Sequence, residues 1–241
     1  MRIGILECGT NRPEWAEHGR FVDWFPPLLA QAGQPFDTLA WAASEGELPD
    51  SPDACDAWLL TGSPASAVDD APWQIDLSGF LSQVVGRQPV IGICYGHQHL
   101  HRMLGGRVEE RHVWGVGVQT YALETLPDWL PAGIATASED GFDLIALHHD
   151  QVTRPAPQTR TFAGSAFCPY GVTQIGSHIL TFQDHPEMDP AFAALVYDFE
   201  RHRIGGAATD AALATLDRPR DTGLAARWIM AFLVHHREER T

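Results

Sequence analysis

A cysteine with a glycine two residues away on either side occupies the run Val90-Ile91-Gly92-Ile93-Cys94-Tyr95-Gly96-His97-Gln98. An apolar strand leading into such a turn, with a helix behind it, makes a nucleophile elbow: the backbone bends sharply, Gly92 and Gly96 let strand and helix approach, and the Cys94 side chain projects into solvent. The helix N-terminus favours the thiolate, the reactive form, and its free N–H groups can hold developing negative charge. A base and a group to orient it complete such a nucleophile. Thr181-Phe182-Gln183-Asp184-His185-Pro186-Glu187 offers both. His185 can take the thiol proton, and Glu187, linked through the rigid Pro186, can hold the imidazole in one tautomer and stabilise the imidazolium.

Each feature has a plainer reading when taken alone. A free cysteine is most often a small buried hydrophobe, which is the expectation for Cys8, Cys55 and Cys168. His-Pro-Glu at a strand end is ordinarily turn chemistry. In combination they point to a Cys-His-Glu triad, and the order separates it from α/β-hydrolases, whose acid precedes the histidine. His97, His99 and His101 alternate along the chain, but on a helix only His97 and His101 share a face. Further ligands are not placed, so no metal site is expected.

The elements around these residues predict an open α/β sheet. Arg2 to Leu6, Ala57 to Leu60 and Val90 to Ile93 are short apolar runs suited to buried parallel strands. Phe21 to Ala32 reads as a helix despite Pro26 and Pro27. Leu100, Met103 and Leu104 recur at helical spacing until Gly105-Gly106 stops the run. Val113 to Tyr121 and Ile175 to Phe182 are β-rich, in a region expected to be partly antiparallel. Asp189 and Pro190 are the N-cap and first residue of a helix with Phe192, Leu195, Val196 and Phe199 on one face. A Gly- and Ala-rich connection from Gly205 to Ala214 leads to a last helix bearing Leu224, Trp228, Ile229 and Phe232. Open sheets of this kind, mostly parallel with helices on both faces, bind ligands beyond the carboxyl ends of their strands. We expect residues 1–241 to form one domain, with a C-terminal helical extension from about residue 205.

Composition narrows the chemistry. The 241 residues carry 44% hydrophobic and 20% charged residues, as in globular proteins generally. All sixteen basic residues are arginine, so the chain has no lysine for a Schiff base or a phosphate loop. A formal charge of −15 opposes nucleic-acid binding. Four scattered cysteines and an N-terminus without a leader pattern lead us to expect a reduced, cytoplasmic protein. No apolar run approaches the roughly 18 to 20 residues that span a bilayer.

Gly-Ile-Cys-Tyr-Gly-His-Gln and Phe-Gln-Asp-His-Pro-Glu resemble the nucleophile and His-Glu motifs of the class I (triad) glutamine amidotransferases. The resemblance covers roughly Ile3 to Phe199. It implies a flavodoxin-like fold, attack of Cys94 on the side-chain amide of glutamine, release of ammonia and hydrolysis of a γ-glutamyl thioester, without a cofactor. Leu59-Leu60-Thr61-Gly62-Ser63-Pro64 resembles the family's oxyanion strand-end, with Ser63 where Gly is usual. By that analogy the N–H groups near Gly62, Ser63 and Tyr95 hold the oxyanion. Gln98 matches a substrate-contacting position, and His148-His149-Asp150-Gln151-Val152 resembles a motif near the active site, marking Asp150. Helix polar face and solvated loop are the plainer readings of these two. The family implies either a separate synthetase subunit as ammonia acceptor or a free-standing hydrolase. The alternatives are a γ-glutamyl peptidase acting on peptides or conjugates, and a catalytically silent binding module of the same fold.

Overall fold

The four- and five-residue apolar runs of the sequence form the middle of a sheet. The computed structural model describes residues 1–134 and 141–238. In chain order the strands are β1 (Arg2–Leu6), β2 (Asp37–Trp41), β3 (Ala57–Leu60), β4 (Val90–Ile93) and β5 (Arg107–Leu123). β6 (Gly141–Arg154), β7 (Thr159–Gly164), β8 (Val172–Ile175) and β9 (Ile179–Phe182) follow. The helices are α1 (Phe25–Ala30), α2 (Pro72–Val84), α3 (Tyr95–Met103), α4 (Pro190–Phe199), α5 (Arg201–Ile204), α6 (Gly206–Leu213) and α7 (Thr222–Glu238). One sheet runs β2-β1-β3-β4-β9-β8-β7-β5-β6. Its first five strands are parallel, and from β9 onward the pairings are antiparallel.

Alternation along the short strands divides the core in two. Ile3, Ile5, Leu59, Ile91, Ile93 and Phe182 face α1 and α7, meeting Phe25, Leu29, Trp228 and Phe232. Leu6, Trp58, Leu60, Val90 and Ile179 face the other way, onto Leu77 and Leu81 of α2 and Leu100 of α3. Each fully buried side chain of this size contributes about 1.5 to 3 kcal/mol. A third cluster joins Val116, Val118 and Ile145 of the long β5–β6 ribbon to Phe192 and Tyr197 of α4 and Ala212 of α6. Among the described residues no helix is long and apolar enough to cross a membrane.

The structure corrects several expectations of detail. Phe21 to Ala32 is not one helix: a 3-10 turn over Phe21–Trp24 precedes α1, and Pro26, which cannot donate an N–H, sits in the first turn of α1. Gly205 to Ala214 is no plain connection but holds α6, because its alanines have strong helix propensity and Ala212 is buried. Asp189 caps α4 by accepting from Ala191 N at 2.7 Å, yet the buried face is Phe192, Ala193 and Tyr197. Leu195 and Val196 are half-buried and Phe199 is exposed, since the ribbon meets α4 on the side where Tyr197 binds Gly117 and Ala146. β2 and α2 carry no strong signal in the sequence; α2 shows its apolar stripe only against Trp58 and Leu60.

Candidate active site

Cys94 sits between the last residue of β4 and the first of α3, with φ 49° and ψ −99°. This is a strained backbone for a side-chain-bearing residue, of order 1 to 3 kcal/mol, and it persists because its surroundings allow nothing else. A Cβ on Gly92 would lie 2.8 Å from the carbonyl of Gly96, and one on Gly96 would lie 2.8 Å from the carbonyl oxygen of Leu60. Both glycines are therefore required by the close crossing of α3 over β3 and β4. The sequence suggests a Cys94 side chain projecting into solvent, but the structure corrects this: the residue is 5% exposed and faces a cavity of about 410 Å³.

His185 and Glu187 follow β9, the strand beside β4, so the register Ile93↔Phe182 brings together Cys94 and His185, ninety-one residues apart in sequence. Cys94 N donates to Phe182 O at 2.8 Å, and His185 N donates to Ile145 O at 2.8 Å, fixing both segments by main chain. His185 Nδ1 and Glu187 Oε1 are 2.7 Å apart, with both side chains almost wholly buried. That pairing leaves Nε2 for the thiol. Burial alone would lower the His185 pKa, but the charge of Cys94, that of Glu187 and hydrogen bonds to both outweigh it and hold the imidazole well above its ordinary value. The arrangement can hold a thiolate beside an imidazolium.

The other residues singled out by sequence converge on the same cavity. Gly62, Ser63, Gln98 and Asp150 line it together with Cys94, His185 and Glu187. Gly62 packs so closely that a Cβ there would stand 2.8 Å from His185 Cε1. Tyr95 is the first residue of α3; its ring is buried, and Tyr95 Oη and His99 Nδ1 are 3.1 Å apart. Its backbone N–H, in the first turn of the helix, lacks an intrahelical acceptor. Gln98 is no solvated polar face: its Nε2 donates to Asp150 O at 2.7 Å. His148 to Val152 is not a loop either but part of β6, with His148 buried.

Residues distant in sequence complete the surroundings. Ser66 donates to the Asp150 carboxylate. Tyr121 Oη donates to Asp184 at 2.8 Å, and His148 Nε2 is 3.3 Å from the same carboxylate. Trp15, Phe21, Trp24, Trp114 and Phe192 also line the cavity. Ser66, Tyr121 and the five aromatic residues belong to none of the motifs; the one available signal for them is the density of aromatic residues between Trp15 and Phe25.

The remaining cysteines and the alternating histidines have other roles. Burial pushes the thiol of Cys55 up to about 11, that of Cys168 to about 12 and that of Cys8 higher still. His97 and His101 pair with the hydroxyls of Thr181 and Thr173 at 2.8 and 3.0 Å, and His99 with that of Ser78 at 3.1 Å. Burial lowers all three, His99 and His101 to about 4, so they are neutral at pH 7 and tie α3 to the sheet and to α2.

Comparison with known proteins places the chain in a family. Residues 29–197 match the family model described as glutamine amidotransferase class-I. γ-Glutamyl peptidase 2 of Arabidopsis thaliana is 24% identical over 184 residues, covering 75% of this chain and 73% of that protein. The glutamine-hydrolyzing GMP synthase of Streptococcus pneumoniae is 34% identical over 132 residues, covering 54% of this chain but 24% of that protein. The crystal structure of a glutamine amido transferase from Methylobacillus flagellatus superposes with a TM-score of 0.65 at 22% identity, covering 95% of this chain and 94% of the other.

Proposed function

The chain belongs to the class-I glutamine amidotransferase family, and from that premise we propose that it hydrolyses γ-glutamyl amides through Cys94, His185 and Glu187. The observation that carries the proposal is the strained elbow of Cys94 facing the buried His185–Glu187 pair in one cavity. Cys94 thiolate attacks the γ-carbonyl carbon while backbone N–H groups at Gly62, Ser63 and Tyr95 receive the oxyanion, a contribution of about 3 to 4 kcal/mol for well-placed donors. His185 protonates the departing nitrogen and then activates water to cleave the γ-glutamyl thioester; Glu187 orients the imidazole throughout. Gln98 and Asp150 bind the γ-glutamyl half. The cavity and the helices around it belong, in this reading, to a single domain spanning 1–241, since Trp228 and Phe232 of α7 enter the same core as Ile5 and Ile93.

With glutamine as substrate the product is ammonia, and a separate synthetase subunit is the fitting acceptor. A γ-glutamyl peptidase is the second reading, favoured by the size of the cavity and by the Arabidopsis relative. The free cysteines support a reducing, cytoplasmic setting for either. Glutamate and ammonia release from glutamine and a panel of γ-glutamyl peptides, measured beside Cys94→Ala, tests the proposal. Glutamate from any of them, lost in the variant, upholds it; no release together with a Cys94 inert to alkylation overturns it.

A further inference from the structure

The cavity in front of Cys94 is lined by two unlike groups of side chains. One is polar: Ser66 donates to the Asp150 carboxylate and Gln98 to the Asp150 main chain, so the side chains there are already joined by hydrogen bonds. The other is an aromatic wall of Trp15, Phe21, Trp24, Trp114 and Phe192, with the Arg12 guanidinium over Trp15 and that of Arg203 over Trp114. Only Phe192 is fully buried; the other four remain partly exposed, although rings of this size gain more than any other side chains by leaving water.

The wall is built before any ligand arrives. Trp15 and Trp24 stand against Phe192 with ring centroids 5.9 and 4.8 Å away, and Phe21 is 5.0 Å from Trp24. The segment carrying these rings is anchored beneath. The wholly buried carboxylate of Glu7, just past β1, accepts from the Arg20 guanidinium and from Val22 N at 3.2 Å. Trp24 Nε1 donates to His18 O at 2.8 Å. Trp114 comes from β5 and stacks on His149 at 4.8 Å.

The reaction itself decides which half of a substrate meets which side. His185 must deliver its proton to the departing nitrogen, so the amine half lies on the imidazole's side of the scissile bond. From His185 the chain runs through Glu187 and Met188 into α4, and it is Met188, Phe192 and Val196 of that stretch that line the cavity with the tryptophans. Ammonia has no atoms with which to cover such a wall, and about 410 Å³ falls in the range of roughly 300 to 1,000 Å³ that holds drug-sized ligands.

We propose that the aromatic wall is a subsite for the amine half of the substrate, and that the preferred substrate is the γ-glutamyl amide of an amine bearing an aromatic or bulky apolar group. This rests on the hydrolase reading above. The Cys94 sulfur–carbon bond forms as the carbon–nitrogen bond breaks, the free amine leaves with the proton from His185, and water then releases glutamate and regenerates the thiol. One water is consumed for one glutamate and one amine.

The test compares γ-glutamyl benzylamide with γ-glutamyl methylamide and glutamine. The benzylamide is expected to show a kcat/KM at least about tenfold above the methylamide, and Trp15→Ala and Trp114→Ala, on separate elements, each to reduce that ratio several-fold. Calorimetric binding of both amides to Cys94→Ala protein reads the wall without chemistry and should show the same preference. Equal turnover of the two amides leaves the hydrolase reading standing and overturns the subsite. No turnover of any amide overturns the hydrolase reading; the subsite then stands on about tenfold tighter benzylamide binding that is lost in Trp15→Ala, and falls if the two amides bind alike or not at all. Should Trp15→Ala lose its circular-dichroism signature, Trp114→Ala decides.

Discussion

The parallel and antiparallel halves of the sheet differ in how they serve the cavity. β3, β4 and β9 are four residues long and buried throughout, and their carboxyl ends present Gly62, Cys94 and His185 within a few ångströms of one another. β5 and β6 run for 17 and 14 residues, are only partly covered, and lend Trp114, His148 and Asp150 to its sides. Short strands covered on both faces cannot shift register without displacing side chains in two close-packed cores at once, so they hold reactive atoms well. A long ribbon with one wetter face tolerates change, and it is the natural place for selectivity.

The sharpest way to break this contrast is at the elbow. Cys94→Ala should reduce turnover by about a thousandfold or more while the melting temperature stays level or rises; Cys94→Gly, free of the cost of a positive φ, should be more stable than the native protein by about 1 kcal/mol. A large loss of stability in Cys94→Ala would make the residue a packing element. Glu187→Gln keeps a hydrogen-bonding group near His185 Nδ1 but removes the charge, and kcat should fall by roughly a hundredfold or more with little change in folding. Unchanged kcat would remove Glu187 from the proposed triad.

Gly96→Ala and Tyr197→Phe compare the halves directly. The first drives a methyl group toward the backbone of Leu60 and should cost about 1 to 3 kcal/mol along with most activity, because α3 and Cys94 move together. The second leaves Gly117 N without the Tyr197 hydroxyl it donates to, with a comparable cost of about 1 to 3 kcal/mol, yet kcat should change by less than about tenfold. Equal loss of activity in both, read against denaturation midpoints, would erase the division of labour.

The smallest expected effect concerns α3. His99 and His101 are depressed to about 4 from 6.5, so the unfolded chain binds protons that the folded one refuses. Their contribution to stability is complete above pH 6.5 and is lost as pH falls from there to about 4. At pH 5 each should have cost about 2 kcal/mol. His99→Gln, which cannot titrate in this range, should flatten the dependence of the urea midpoint on pH; an unchanged slope would contradict the assignment.

Much of the site was legible because its parts are local. A nucleophile elbow needs small residues at fixed offsets from the cysteine, and an imidazole with its carboxylate two residues on can be read from seven letters. The short apolar strands and the Asp189-Pro190 helix start are likewise local. The apolar pattern of α4 points to the wrong side, since Phe199 and Leu195 are apolar but the ribbon lies on the side of Tyr197. α6 reads as a connection in the sequence because glycine and alanine carry no face of their own until Ala212 meets β5 and β6.

The residue types and their spacing thus determined, without help, that Cys94, His185 and Glu187 were the groups to consider and that they would stand at strand ends. Only the tertiary structure decided that β9 lies beside β4, so that the two motifs share one cavity, and that Trp15, Trp24, Trp114 and Phe192 gather along its lining. The physical reason is that a turn or cap depends on neighbours along the chain. Strand order and the composition of a cavity wall depend on burying surfaces that belong to segments remote in sequence, and no single segment encodes them.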